Sequence, residues 1–351
     1  MPADVAQAWN VAVLLRGRAA AEAGRLYEAA DVVRRRVVGD AVHLRGLIEI
    51  GNHCVRSCAY CGLRRQNRSV ERYRMTAAEI VDAAREARSC GCGTVVLQGG
   101  EDPGARGAWV AEVIRRIKGE TGLAVTLSLG ERSDGDLALW RESGADRYLL
   151  RFETSDRELY DRIHPSLPHV RSDRIALLRR LRELGYENGG GVMVGIPGQT
   201  CASVERDVRT FGDMDLDMIG IGPYIPHPQT PLGARPVREA DDAVPNTPEA
   251  ACVVLALARI TCPEANLPDT TALALTGGGH ASGLVRGANV IMLTITPRRY
   301  RALYQIYPGK SGGGDSFPDE VEDVRRLLAS LGRTVATGPG PRVRRQKTGR
   351  P

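Results

Sequence analysis

The chain has 351 residues, of which 42% are hydrophobic and 26% charged, a composition that excludes wholesale disorder and allows a full core. The formal charge of +6 does not indicate nucleic-acid binding, because residues 337–351 (TGPGPRVRRQKTGRP) carry five basic residues and no acidic one, which leaves +1 for the rest. No apolar run approaches the roughly 20 residues that span a bilayer, and the N-terminus has no signal pattern. We therefore expect a cytoplasmic protein that binds neither a membrane nor nucleic acid.

Helical patterns come first along the chain. Residues 3–38 place Ala, Leu and Val at helical spacing and Gly39 follows as a stop signal, so a helical extension is expected over residues 1–43. From residue 44, apolar runs rich in β-branched residues alternate with amphipathic segments such as SDRIALLRRLRELG. The eight runs, each predicted to be a strand, are LRGLIEIGN from 44, TVVLQGG from 94, LAVTLSLG from 123, RYLLRFE from 147, GGVMVG from 190, DMIGIGPY from 217, DTTALAL from 269 and ANVIML from 288.

Eight strand and helix repeats favour an α/β fold of the (βα)8 TIM-barrel type over residues 44–332. An open doubly wound sheet is less favoured, because neither GGE from 99 nor TGGGH from 276 forms the G-x-G-x-x-G fingerprint of dinucleotide binding. Residues 333–351 are expected to form a basic, solvated tail. In such a barrel the chemistry lies on the loops that leave the carboxyl ends of the strands.

Three of the eight cysteines, Cys54, Cys58 and Cys61, fall within eight positions directly after the first predicted strand. In a reducing compartment, clustered cysteines indicate metal binding or catalysis rather than disulfides. A structural zinc site is the weaker interpretation, since it needs a fourth ligand and no second C-x2-C pair follows. Three thiolates suit a single 4Fe-4S cube that leaves one iron without a cysteine ligand. We expect the other cysteines to be small buried hydrophobes: Cys90, Cys92, Cys201, Cys252 and Cys262.

The C-x3-C-x2-C motif after the first strand of a barrel resembles the radical S-adenosylmethionine (SAM) superfamily. The resemblance implies that the open iron binds the methionine part of SAM and that an electron from the reduced cluster produces a 5'-deoxyadenosyl radical. It also implies a set of residues that bind the cofactor: Tyr60, Gln98, Gly99, Gly100, Glu101, Arg151, Glu153, Arg174, Met193 and Ile225. Without the resemblance, the glycines indicate a turn, Arg151 and Glu153 a neutralised ion pair, and the two apolar residues ordinary core.

Longer blocks, among them VVLQGGEDPG, GGVMVGIPGQT, DMIGIGPYIPHPQTPL and YRALYQIYPGK, resemble HydE, the family of FeFe-hydrogenase maturases, over about residues 25–332. That resemblance implies a cysteine-bound iron-carbonyl-cyanide substrate inside a positively charged barrel, a flavodoxin or ferredoxin as electron donor, and other hydrogenase maturases as partners. The residues implied to line the substrate cavity are Gln98, Thr126, Arg147, Met218, Thr270, Thr271, Tyr304 and Tyr307. A hydrogen-bonded polar layer in the core is the alternative for any one of them.

This chain departs from many relatives in having no cysteine beyond Cys262, so no accessory cluster is expected after the PGK element at 308–310. Three alternatives remain. The same SAM chemistry is shared with amino-acid mutases that resemble methylornithine synthase, and with sulfur-inserting enzymes that resemble biotin synthase. A different class is a non-catalytic iron-sulfur carrier that docks a hydrogenase through its basic tail.

Overall fold

The computed structural model describes residues 9–234, 242–310 and 316–344. Within them the strands are β1 Ala41–Gly51, β2 Thr94–Gly99, β3 Ala124–Ser128, β4 Arg147–Leu149, β5 Glu187–Val194, β6 Met218–Pro223, β7 Pro268–Asp269, β8 Val290–Thr294 and β9 Thr334–Val335. The helices are α1 Val11–Leu15, α2 Ala20–Val37, α3 Ala77–Ser89, α4 Gly107–Thr121, α5 Asp134–Glu142, α6 Arg157–Ile163, α7 Arg174–Glu183, α8 Cys201–Asp213, α9 Pro248–Thr261, α10 Thr271–Thr276, α11 Ala281–Leu284, α12 Arg298–Arg301 and α13 Phe317–Ser330. Each of these helices is too short or too polar to cross a membrane.

The first eight strands form a closed parallel barrel. Each strand pairs with the next one along the chain, and β1 pairs with both β2 and β8, which closes the sheet. Leu47 of β1, for example, is in register with Val96 of β2 and Thr294 of β8. The predicted (βα)8 fold is therefore confirmed, and the carboxyl ends of all eight strands meet at one rim, the C-terminal rim.

The helices around the barrel begin at side-chain caps and turn an apolar face towards the strands. Thr76 and Glu79 form a reciprocal capping box at the start of α3, in which the Thr76 backbone N–H donates to the Glu79 carboxylate at 2.6 Å. In α4, Val110, Ile114 and Ile117 lie one turn apart and are buried in the core. This packing holds the strand ends, and the loops that leave them, in fixed positions.

Two predicted strands differ from the structure. The run DTTALAL from 269 contributes only Pro268–Asp269 to the sheet, and its remainder is helix α10. The Thr270 hydroxyl accepts a hydrogen bond from the Leu273 backbone N–H at 3.3 Å, which caps the helix and ends the strand at this point. The run RYLLRFE from 147 is a strand over three residues only.

The N-terminal end of the barrel, its base, is covered by the chain from residue 333 to 344, where we had expected a solvated tail. Strand β9 pairs in parallel with Ala41 and Val42 at the start of β1. The Pro339 carbonyl then accepts hydrogen bonds from Thr94 and Arg147, at 2.8 and 3.1 Å. The segment packs here because buried polar groups at the base need acceptors. Residues 345–351 of the predicted tail lie outside the described residues.

Glycine allows this close approach at the base. A Cβ on Gly93 would lie 1.7 Å from the Gly338 carbonyl oxygen, so no other residue fits at position 93 without moving the segment. Gly340 supplies a carbonyl that accepts from Arg45 and Asn266, at 3.3 and 3.1 Å. Arg342 beside it forms an ion pair with Asp215 at 2.6 Å.

Candidate active site

The three clustered cysteines lie on the loop that leaves β1 at the C-terminal rim, over residues 52–75. Neighbouring loops fix this segment by backbone hydrogen bonds from Val55 to Glu101 at 2.9 Å, from Gly62 to Ile306 at 2.9 Å and from Ala59 to Ile163 at 2.8 Å. Each bond joins the cysteine loop to a different βα loop, because Glu101 follows β2, Ile163 follows β4 and Ile306 follows β8. The closed barrel therefore determines where the cysteines lie.

Cys54, Cys58 and Cys61 all face one cavity of about 210 Å³. Burial, together with the neighbouring Cys54 thiol, raises the pKa of Cys58 to about 12. Within residues 9–234, 242–310 and 316–344, no three His, Cys, Asp or Glu side chains converge as they would around a single metal ion. Three thiols spread around one cavity suit a cube, in which each thiolate binds its own iron.

Every residue that the sequence predicted for the cofactor lines this same cavity. They come from the carboxyl ends of β1, β2, β4, β5 and β6 or from the segments that follow these strands, and are Tyr60, Gln98, Gly99, Gly100, Glu101, Arg151, Glu153, Arg174, Met193 and Ile225. Tyr60 also packs against a small apolar cluster that contains Met193. The structure thus brings the predicted set together, and the role of each residue in binding stays a prediction.

Arg151 and Glu153 form an ion pair beside the cavity, and the backbone of Glu153 is strained. Glu153 has a φ of 64°, the left-handed region that side chains rarely adopt, and its backbone bonds to Gly191 and Met193 hold it there. The Arg151 Nη2 lies 3.2 Å from Glu153 Oε2 and donates to the Val192 carbonyl at 2.6 Å. The Arg151 Nε and Glu153 Oε2 atoms are nevertheless buried without a hydrogen-bond partner within the described part of the chain.

Gly100 lines the cavity and also has a packing role. A Cβ at position 100 would lie 2.2 Å from the His53 carbonyl oxygen and 2.9 Å from the Cys54 Cβ. The glycine is therefore required so that the loop after β2 can pack against the cysteine loop.

The predicted substrate residues fall into two groups in the structure, one near the rim of the barrel and one nearer its base. Gln98, Tyr304 and Tyr307 line the cavity with the cysteines, whereas Thr271 faces a second cavity that Tyr304 also borders. Thr270 caps α10 and donates to the Ile221 carbonyl at 2.8 Å.

The others lie at the base of the barrel and not at its rim. Each of the three Arg147 guanidinium nitrogens already has a protein partner: Glu187 at 2.5 Å, Thr94 at 3.2 Å and the Pro339 carbonyl at 3.1 Å. The Met218 sulfur lies 2.9 Å from Arg45. Thr126 is fully buried, and its hydroxyl has no hydrogen-bond partner among the described residues. In this structure Arg147 therefore belongs to a hydrogen-bonded polar layer in the core, the interpretation given above as the alternative to substrate binding.

A charged network that the sequence did not indicate lies directly behind the cysteines, centred on Glu131. Its carboxylate accepts hydrogen bonds from Ser172 at 2.6 Å and Arg174 at 3.1 Å, and it pairs with Arg56 at 2.9 Å. Burial raises the pKa of Glu131, but hydrogen bonds from His164 and Ser172 and the two arginines outweigh it and lower the pKa to about 2. Glu131 is thus ionised at neutral pH and fixes the orientation of Arg174.

Two further members of the network contact the site. Arg56 donates to Glu101 at 2.7 Å, although burial still raises the pKa of that carboxyl group. His164 bridges Glu131 and Cys58, and burial, with the nearby Arg174, lowers its pKa to about 4. The only sequence signal was indirect: Glu131 follows the third strand and His164 follows a helix at the same rim. The remaining cysteines are buried as expected except Cys90, which is half-buried.

Comparisons with known proteins agree with this fold and site. Residues 48–211 match the family model described as "Radical SAM superfamily". The FeFe-hydrogenase maturase subunit HydE of Thermotoga maritima is 43% identical over 320 residues, 91% of this chain and 89% of the relative. A 3-methylornithine synthase of Methanosarcina acetivorans is 28% identical over 77% of this chain and 74% of the relative. The solved structure of a methylornithine synthase has a TM-score of 0.78 at 24% identity, over 95% of this chain and 96% of the other.

The barrel, the three-cysteine loop and the family match define a radical SAM enzyme. Within that superfamily, the chain belongs to the HydE family of FeFe-hydrogenase maturases. Membership implies a 4Fe-4S cluster and SAM. The residues present fit both groups, since three thiols, one of a buried and two of half-buried cysteines, face the cavity, and the Arg151 Nε lies beside it without a hydrogen-bond partner among the described residues.

Proposed function

We propose that this enzyme cleaves SAM reductively and acts on a small cysteine-bound iron-carbonyl-cyanide precursor during maturation of the FeFe-hydrogenase active site. The observation that carries the proposal is a single cavity that joins the three cysteines to the Arg151 Nε, which has no hydrogen-bond partner among the described residues, to the buried Tyr304 and to the half-buried Tyr307. The relative at 43% identity supplies the reaction context, because its name is that of a hydrogenase maturase.

In this proposal Cys54, Cys58 and Cys61 ligate the cluster and leave one iron open for SAM. The bound cluster and SAM together supply one-electron cleavage of the sulfonium C5'–S bond. Arg174, held by Glu131, presents a guanidinium to the methionine carboxylate. The Arg151 Nε, which has no hydrogen-bond partner among the described residues, supplies a donor, and Glu153, which pairs with Arg151, supplies an acceptor.

The polar groups that face the substrate differ from those that face SAM. Burial raises the pKa of Tyr304 well above its ordinary value and also raises that of Tyr307, so both phenols stay protonated at neutral pH and act as neutral hydrogen-bonding groups. Gln98, at the end of β2, adds an amide donor and acceptor. Such groups bind a polar or anionic ligand without adding a charge, while the surrounding protein excludes water from the radical.

A second candidate substrate is an amino acid of the lysine type, which the 3-methylornithine synthase favours through its 28% identity over 77% of this chain. The two candidates differ in what stimulates the release of 5'-deoxyadenosine from anaerobically reconstituted, dithionite-reduced enzyme. We expect the iron-carbonyl-cyanide cysteine complex to stimulate release and lysine to leave it at the rate without substrate. Stimulation by lysine alone would contradict the maturase assignment and favour a mutase.

The proposal extends to location and partners. We place the enzyme in the cytoplasm, where a flavodoxin or ferredoxin supplies the electron and other hydrogenase maturases receive the product. Co-purification of the product-bearing enzyme with a partner maturase tests whether other maturases receive the product.

A further inference from the structure

The outer side of the cysteine loop carries a group of arginines that neither the core nor the cavity uses. Residues 52–75 contain six arginines and a single acidic residue, Glu71. Three of the six already have partners within the protein: Arg56 pairs with Glu101, Arg74 pairs with Asp102, and Arg72 donates to four backbone carbonyls. The other three, Arg64, Arg65 and Arg68, form what we call the arginine surface.

Hydrogen bonds hold the arginine surface against the cysteine segment itself. The Arg65 backbone N–H donates to the Arg56 carbonyl at 2.8 Å, and the Gln66 side chain donates to the Ser57 hydroxyl at 2.7 Å. The Arg64 guanidinium reaches the Ser57 carbonyl at 3.3 Å. Since Ser57 precedes Cys58 directly, the chain from 64 to 66 forms the outer layer over this cluster ligand.

The arginine surface presents its charge to solvent. Arg65 and Arg68 are exposed, and neither forms an ion pair with any residue in 9–234, 242–310 or 316–344. Arg64 is half-buried and has no acidic partner in the same ranges. A second segment that meets Cys58 through His164 carries the exposed Arg171. Glu71, the nearest exposed acid in sequence, leaves the arginine surface net positive, whereas Asp173 balances Arg171 on the second segment.

We infer that the arginine surface is the docking site for a small acidic one-electron carrier protein, an inference that rests on the proposed function. Cleavage of SAM needs one electron from outside the chain, because the substrates of the reaction do not supply it. A reduced carrier docked here transfers one electron to the cluster behind Ser57, and the carrier is thereby oxidised by one electron. Positive charge on this side attracts an acidic partner and orients it towards the cysteines.

The position of the cavity favours this side of the loop. SAM and substrate fill the inner side of the cysteines, so a protein as large as an electron carrier cannot approach through the cavity of about 210 Å³. Only the thickness of the loop separates Cys58 from the outer surface at Ser57 and Gln66. A carrier on this side reaches the cluster without disturbing bound ligands.

The test is the double charge reversal Arg65→Glu with Arg68→Glu, using a flavodoxin reduced to its hydroquinone as the donor. The control is Arg88→Glu with Arg115→Glu, two exposed arginines on α3 and α4, away from the rim, that form no ion pair among the described residues. Release of 5'-deoxyadenosine is measured with flavodoxin and with dithionite. We expect the flavodoxin-driven rate of the surface variant to fall about 10-fold at low ionic strength, with the dithionite-driven rate unchanged.

Binding gives a second readout that needs no turnover. The affinity of oxidised flavodoxin for the cluster-loaded and cluster-free enzyme is measured by calorimetry at low and high ionic strength. We expect about 10-fold weaker binding for the surface variant, and the difference from wild type should vanish at high salt because screening removes the charge term. Equal affinity in wild type and surface variant, or an equal loss in the control, would overturn the inference. A wild-type enzyme that cleaves no SAM with dithionite would instead contradict the proposed function, and the binding measurement would still test the surface.

Discussion

Nδ1 of His164 lies 3.0 Å from Sγ of Cys58, although the two residues are 106 positions apart in the chain. The other ring nitrogen lies 3.2 Å from the Glu131 carboxylate, which is ionised and accepts a hydrogen bond from it. The histidine is completely buried, so its orientation is set by these two neighbours. It therefore holds Cys58 in place from the side opposite the cavity.

We predict that His164→Ala weakens retention of the cluster. The substitution removes the contact with Cys58 and leaves the Glu131 carboxylate with one hydrogen bond fewer, and loss of a residue that orients a metal ligand typically costs 10-fold or more in affinity. Loss of iron to a chelator should be about 10-fold faster than in wild type. His169→Ala, an exposed histidine on the same loop, is the control and should release iron at the wild-type rate. Equal rates for all three proteins would show that His164 does not support the cluster ligand.

We predict that Cys58→Ala abolishes both the cluster and SAM cleavage. Wild-type enzyme should hold about four irons after anaerobic reconstitution, because one cube is bound. Cys90→Ala is the matched control, since Cys90 lies where α3 ends, away from the rim. Iron content, the visible absorption of the cluster and 5'-deoxyadenosine release are the measurements. Retained SAM cleavage in Cys58→Ala would refute the ligand assignment.

We predict that Arg151→Gln weakens SAM binding by about 10-fold. The guanidinium offers an unpartnered Nε beside the cavity, and losing one charge-assisted hydrogen bond costs roughly 1.5–3 kcal/mol. Equilibrium binding of SAM to the oxidised, cluster-loaded enzyme measures the effect without turnover. Arg209→Gln, which removes the exposed partner of Glu205 on α8, should bind SAM as wild type does. Unchanged affinity in Arg151→Gln would mean that this arginine only neutralises Glu153.

We predict that stability falls with pH because of Asp207. Burial raises its pKa to about 7, against hydrogen bonds from Ser155 and Thr154 that favour the ionised form. The folded state then holds a proton that the unfolded state has lost, so between about pH 4 and pH 7 the free energy of unfolding decreases by up to roughly 1.4 kcal/mol per pH unit. Asp207→Asn should remove this part of the slope and be more stable than wild type at pH 8. Denaturant unfolding at pH 5 and pH 8 gives the comparison, and parallel pH slopes for the two proteins would contradict it.

We predict that the segment over the barrel base is needed for stability, whereas the last seven residues are not. Deleting residues 336–351 takes away the carbonyl acceptors of Arg45, Arg147 and Asn266 and leaves buried donors without partners, at roughly 1–3 kcal/mol each. Deleting only 345–351 keeps these bonds and is the control. Thermal unfolding of the two truncations should differ by several degrees, with the longer deletion less stable. Equal melting temperatures would mean that the base closes without this segment.

Local patterns were enough for much of the fold. The alternation of apolar runs and amphipathic segments predicts the closed barrel, because each run can bury both faces only inside a parallel sheet covered by helices. The run from 269 was the exception, since Thr-Ala-Leu-Ala-Leu is compatible with strand or helix and only the cap at Thr270 decides for helix. The predicted cofactor residues share one cavity because each lies at the carboxyl end of a strand or follows one, and the eight barrel strands end at the same rim.

The sequence by itself determined the chemistry of the cysteine loop and the rim on which it lies, because both depend on residues close together in the chain. Only the tertiary structure decided which charged groups meet across the barrel. Arg147 donates to the Pro339 carbonyl and His164 contacts Cys58, through segments that lie 192 and 106 residues apart in the chain. Hydrogen bonds are directional and short-ranged, so partners from distant segments are fixed only when the closed sheet places them within about 3 Å of each other.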